Sequence, residues 1–197
     1  MAPPNGTGQR YVVVGLLWFL VALGLGATDR VASWRPPVPQ LVLVGLTGLL
    51  VAAVVALPRF RRWLLALDLR WLIALHLTRF VGIYFLFVYY RDGTLPRAFA
   101  VPGGWGDIIV ATLAFGLLAA GGDLEPKRWL IGLWNTLGLI DILFVVATAS
   151  RLARADPDSM NALLRLPLSL LPTFLVPLLI ADHVVMFWRM ASRRTRT

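Results

Sequence analysis

Cysteine is absent from the 197 residues, which excludes disulfides, thiolate metal sites and cysteine nucleophiles. Histidine occurs only twice and acidic residues only ten times. Charged residues make up 15% of the chain, against roughly 25% in a soluble domain. That is too little polar side chain to cover a water-facing surface, so a soluble globular enzyme is excluded. Catalytic signatures are missing too: there is no His-Glu-x-x-His pair, no glycine-rich phosphate loop and no Gly-x-Ser-x-Gly elbow. Two histidines are too few for an all-histidine zinc site. Asp141 and Asp182 could complete a mixed one, but no metal is firmly indicated. Ser169 lies fourteen residues from His183, too far along one helix for a serine hydrolase. A non-enzymatic protein is expected.

What the chain does hold is hydrophobic side chain, 58% of it, with a mean hydropathy of +0.75. Such a composition rules out disorder. A membrane span needs ~20 mostly apolar residues, and six stretches approach that length: 11–27, 41–57, 71–90, 105–120, 129–149 and 168–188. The expected fold is an all-α, six-helix membrane bundle forming a single polytopic domain, with lipid as its first partner. The first run follows Arg10 and ends in small residues, which is the outline of a signal peptide. It is longer than a usual signal core and five more spans follow, so it is expected to be retained. The fourth run is the shortest. Its Gly103-Gly104-Trp105-Gly106 lead-in reads as a broken or re-entrant entry, which needs cover from other protein.

The net charge of +9 becomes informative once placed against the spans. With the N-terminus inside, eleven basic residues flank inner ends, among them Arg59, Arg61, Arg62, Arg70, Lys127, Arg128 and Arg189. Seven flank outer ends: Arg30, Arg35, Arg91, Arg97, Arg151, Arg154 and Arg165. Basic residues near span ends stay on the cytoplasmic side, so both termini are expected there, in a membrane of the bacterial cytoplasmic type. Trp63, Trp71, Trp129 and Trp188 fall at the inner level, and Trp34, Tyr89, Tyr90 and Trp105 at the outer one, where amphipathic rings anchor. No basic region is interleaved with aromatics, so nucleic acid is not an expected partner.

Between the spans, Gly121-Gly122-Asp123 reads as a tight turn with Asp123 capping a helix that begins near Pro126. Residues 91–97 carry turn chemistry. Residues 98–104 are too apolar for a solvated loop and read as a cap or a lid over the helices. Residues 155–165 read as a turn and a short interfacial helix, with Met160, Leu163 and Leu164 facing lipid or protein. The sixth span contains Pro167, Pro172 and Pro177, each of which removes a backbone donor and bends a helix. The carbonyls so freed, those of Leu168 and Thr173 among them, need a neighbouring donor.

Ionisable groups inside spans cost ~2.5–3.5 kcal/mol each, so each needs a reason. They are His76 and Arg79 in the third span, Asp141 in the fifth, and Asp182 and His183 in the sixth. Asp107 opens the fourth span and reads as a helix cap or an outer-mouth acid. His76 and Arg79 are three apart and share a face. His76 lies five residues from Trp71 and His183 five from Trp188, a common depth of about 7–8 Å. That match fits a b-type haem with His76 and His183 as axial ligands, its propionates near Arg70, Arg61 or Arg62. The default reading of two such histidines is a pair of interhelical hydrogen bonds. Arg79 can neutralise Asp141 or Asp182, which leaves one deep acid to be protonated, hydrated or paired with a histidine.

Three functions are open on these residues. The first is a proton-linked carrier or conducting protein for a small solute or ion, built on His76, Arg79, Asp141, Asp182 and His183. The second is the haem cytochrome. The third is a structural subunit of a homo-oligomer or larger membrane complex.

Overall fold

Each apolar run is long enough to close its own backbone hydrogen bonds as a helix, which leaves no backbone group unpaired in hydrocarbon. The computed structural model describes residues 5–122, 124 and 127–194, and among the described residues every regular element is helical. In chain order these are α1 (Asn5–Ala27), α2 (Val38–Ala56), α3 (Pro58–Ala66), α4 (Leu69–Leu75), α5 (Val81–Asp92), α6 (Arg97–Ala119), α7 (Arg128–Ala155) and α8 (Val176–Arg194). A 3-10 segment, His76–Phe80, joins α4 to α5. A second one covers Asn161–Leu164, and a π-helical segment, Leu171–Leu175, leads into α8. Six helices are long and apolar enough to cross a membrane: Gly8–Ala27, Val38–Ala56, Leu69–Asp92, Arg97–Ala119, Arg128–Ala155 and Leu171–Ser192. Exposed side chains such as Leu16, Leu20, Leu41, Val44 and Leu49 suit contact with lipid, and Trp71, Trp129 and Tyr90 are largely exposed.

The chain forms two compact units: Met1–Leu67 with Asn161–Ala181, and Asp68–Met160 with Asp182–Thr197. In the first, α1 and α2 pack against the π-helical segment. Tyr11, Phe60 and Trp63 cluster between α1 and α3, with ring centroids 5.0 Å apart for Tyr11–Phe60.

The three prolines do not share one helix. Pro167 lies in a turn before it, Pro172 within the π-helical segment, and Pro177 in the first turn of α8. The carbonyl that Pro172 cannot use, that of Leu168, accepts from the Leu171 amide at 2.9 Å. The one freed by Pro177, that of Thr173, accepts from the indole Nε1 of Trp18 at 2.9 Å. An indole on α1 thus replaces the missing helix donor. Trp18→Phe should therefore cost about 0.6–2 kcal/mol in thermal unfolding in detergent. In a Pro177→Ala background, which returns a backbone N–H, the same change should cost clearly less. Equal costs in the two backgrounds would show that this bond carries no stability.

The second unit begins at α4, where Asp68 Oδ1 accepts from the Arg70 amide at 2.9 Å as an N-cap. α5 packs on α6 and α6 on α7. α5 ends at Gly93, whose φ of +63° is the left-handed C-cap that glycine adopts without strain.

The expected short fourth span, with a re-entrant lead-in and a cap or lid over 98–104, is overturned. α6 runs unbroken over 23 residues from Arg97, and residues 98–104 are its opening turns. Of the glycines read as breakers, Gly104 is where that helix closely approaches α5, and Gly106 faces Asp141 of α7. A carbon added to Gly104 would lie 2.9 Å from the Gly82 carbonyl oxygen, and one on Gly82 would collide with the Gly104 carbonyl oxygen. Helices in lipid associate through such small-residue contacts.

Gly121 and Gly122 do form a turn, with φ of +58° and +68°, while Asp123 and Pro126 lie outside the described residues. After α7, the Asp158 amide bonds the Asp156 side chain at 3.1 Å. The short helix that follows is a single 3-10 turn. Met160 and Leu164 are buried and Leu163 is half-buried.

Candidate functional site

Among the described residues, the buried ionisable side chains all belong to the second unit. His76 and Arg79 sit on the 3-10 segment His76–Phe80. At three residues per turn, positions i and i+3 eclipse, so the two side chains leave the same side of the chain one above the other. α7 presents Trp134, Asn135, Gly138 and Asp141 at helical spacing. α6 supplies Asp107, and α8 supplies Asp182 and His183.

Arg79 is the largest fully buried side chain described. Its Nε donates to Asp107 Oδ1 at 2.7 Å, its Nη1 to the Gly138 carbonyl oxygen at 2.8 Å, and its Nη2 to Asp141 Oδ2. Asp107 is therefore no helix cap. It stands inside α6 and faces the guanidinium, and it is buried, whereas the Asp141 side chain keeps 18% of its surface exposed. One guanidinium against two carboxylates leaves one negative charge over, so the cluster is neutral only with a proton on Asp107 or Asp141.

Glycine makes this arrangement possible. A carbon on Gly106 would collide with the Asp141 carboxylate, and one on Gly138 would come within 2.9 Å of His183 Cε1. The Asp141 carboxylate and the His183 ring occupy the space that two side chains would otherwise fill.

The other acid has a different partner. Asp182 Oδ2 is 3.0 Å from His76 Nε2, so Asp182 is not a candidate for Arg79. The His76 ring meets the edge of Trp134 at a centroid distance of 4.9 Å, and Trp134 is itself fixed by its indole N–H to the Val110 carbonyl oxygen at 3.0 Å. The His183 ring lies 4.5 Å from that of His76, tilted by 54°. His183 Nδ1 is 2.8 Å from Asn135 Oδ1, while Asn135 Nδ2 donates to the His183 carbonyl oxygen at 3.2 Å. His76 Nδ1 and His183 Nε2 are buried with no hydrogen-bond partner. Both rings are fully buried.

The equal depth expected for the two histidines thus corresponds to direct contact, and the contact does not fit haem. Iron between two imidazoles, at metal–nitrogen distances of about 2 Å, needs the rings further apart with the macrocycle between them. His76 Nε2 is engaged by Asp182 and His183 Nδ1 by Asn135. Arg70 bonds the Gly122 carbonyl oxygen and Arg61 that of Val55, each at 2.9 Å. The mixed zinc site does not assemble either, because Asp141 is held by Arg79 and Asp182 by His76. Among the described residues, no three His, Cys, Asp or Glu side chains gather as a metal ion requires.

Of the residues singled out in the sequence, His76, Arg79, Asp107, Asp141, Asp182 and His183 come together in this unit. Pro167, Pro172 and Pro177 belong to the other. Asn135, Trp134 and Gly138 escaped the sequence reading, and Gly106 figures there only as part of a break in the helix. Asn135 alone left a signal there, as an uncharged polar residue inside a span.

A family model described as Domain of unknown function (DUF8737) matches residues 36–191, a range that holds every residue of the buried cluster. No curated protein and no solved structure matches the chain.

Proposed function

The chain belongs to the DUF8737 family, and from its buried site we propose a multi-pass membrane protein that handles protons, coupling them to the passage of a small solute or ion. The observation that carries this reading is the hydrogen bond of 3.0 Å between His76 Nε2 and Asp182 Oδ2. A carboxyl and an imidazole sharing one proton are neutral together. They become cationic on gaining a proton and anionic on losing one, and hydrocarbon penalises both charges. Histidine exchanges protons near neutral pH more readily than any other unperturbed side chain, and a second imidazole stands 4.5 Å away.

Arg79 and its two carboxylates supply the fixed charge beside this pair. Asp141, the only partly exposed member, is the contact between the cluster and the outside. The distribution of basic residues favours both termini in the cytoplasm, which sets the sense of any proton gradient across the site.

The test uses the purified full chain in proteoliposomes with an entrapped pH-sensitive dye and an imposed pH gradient. Asp182→Asn and His76→Gln should each lower proton flux at least about tenfold while the protein remains monodisperse in detergent. A purely structural pair predicts flux equal to wild type in both folded variants, and that result would remove the proposal.

A further inference from the structure

The two imidazoles differ in what their partners allow. Asn135 has both ends of its amide engaged by His183, with Oδ1 at Nδ1 (2.8 Å) and Nδ2 at the carbonyl oxygen (3.2 Å). A carbonyl oxygen only accepts hydrogen bonds, so the amide nitrogen must face it. Turned over, the amide would set two acceptor oxygens against each other. The amide oxygen therefore faces Nδ1, and because it has no hydrogen to give, Nδ1 must carry one. In the neutral ring Nε2 is then bare, and it is the buried atom without a partner.

His76 has no such constraint. The group at its Nε2 is a carboxyl, which donates when protonated and accepts when ionised. Either tautomer of His76 satisfies that contact, and the nitrogen left over is Nδ1, again without a partner.

We infer that Asn135 is a tautomer lock: it holds the hydrogen of His183 on Nδ1, so that Nε2 is the terminal base of a relay running Asp182, His76, His183. The order of the relay rests on the proton-handling reading above, whereas the lock does not. In the transfer, Asp182 gives its carboxyl proton to His76 Nε2 as His76 releases the proton on Nδ1 to Nε2 of His183. Asp182 is left as the carboxylate, His76 as the neutral Nε2–H tautomer, and His183 as an imidazolium still donating from Nδ1 to Asn135. The two nitrogens that this transfer joins are the two without partners, so they are not hydrogen-bonded to each other in this structure and the rings must turn together before the proton crosses.

The lock also ends the relay. The amide oxygen of Asn135 is too weak a base to take the proton onward, so a proton that reaches His183 returns by the way it came. A site of this kind stores a proton for the length of a transport step, which suits a carrier better than a continuous conducting wire.

The chain has only two histidines, so histidine labelled with 15N gives four ring resonances, which His76→Gln divides between the two residues. Protonated and bare imidazole nitrogens are well separated in such spectra. The full-length protein in lipid should show His183 with a protonated Nδ1 and a bare Nε2. In Asn135→Leu the Nε2–H form should appear, and proton flux should fall with it. Wild-type His183 in the Nε2–H form would overturn the lock, and that spectrum needs no variant to fold. An unchanged tautomer in folded Asn135→Leu would overturn it as well. A locked tautomer in a protein that moves no protons would keep the lock and remove the relay together with the proton-handling reading.

Discussion

Arg79→Leu should destabilise the protein by about 3–5 kcal/mol, the usual cost of breaking a buried ion pair from one side, and so lower its thermal midpoint in detergent more than any other single change considered. The substitution removes three donors at once. Asp107 Oδ1, Asp141 Oδ2 and the Gly138 carbonyl oxygen all lose their partner, and two carboxylates are left facing each other without a cation. Most of the cost is the desolvated charge that remains, not the attraction that is lost. A triple variant, Arg79→Leu with Asp107→Asn and Asp141→Asn, should therefore recover much of the stability, because it removes the charges together. Arg79→Leu with an unchanged midpoint, or a triple variant less stable than the single one, would show that the Arg79–Asp107–Asp141 cluster does not hold these helices together electrostatically.

The second large effect concerns a methyl group. Gly82→Ala would bring a carbon into collision with the Gly104 carbonyl oxygen and within 2.8 Å of Asp107 Cβ. Neither is the far end of a flexible side chain, so the helices must move apart. Overpacking of this kind costs typically about 1–3 kcal/mol. Because α6 carries Asp107, separation also draws that carboxylate away from Arg79. The sign should reverse on α2: nothing lies within 4 Å of a carbon added at Gly45 or Gly48, and alanine there should gain up to about 1 kcal/mol of helix propensity. Unfolding midpoints of the three variants side by side decide the matter. A neutral Gly82→Ala would mean that α5 and α6 do not approach as closely as their glycines indicate.

Much of the architecture is legible in the residues alone. A bilayer demands ~20 consecutive apolar residues whatever the neighbouring helices do, and each of the six runs meets or approaches that demand locally. The cost of an ionisable group in a span is local as well, which is why His76, Arg79, Asp141, Asp182 and His183 stand out from the chain. The reading failed where a local rule was overruled by a partner helix. Gly103, Gly104 and Gly106 look like a break, and with a break in view Asp107 looks like the start of a helix. Once α5 and α7 lie against α6, Gly104 meets α5, Gly103 and Gly106 face α7, and Asp107 becomes an ion-pair partner in mid-helix.

The sequence by itself determined six helices long and apolar enough to cross a membrane, carrying a few costly polar groups, because hydrophobic length and the price of a buried charge are properties of single segments. Only the tertiary structure decided which acid meets which base. Asp107, Asp141 and Asp182 are chemically alike along the chain, and they differ only once α6, α7 and α8 place two of them on Arg79 and one on His76. The role of Asn135 belongs to that second class, since an uncharged amide acquires a direction only from the ring and the carbonyl it faces.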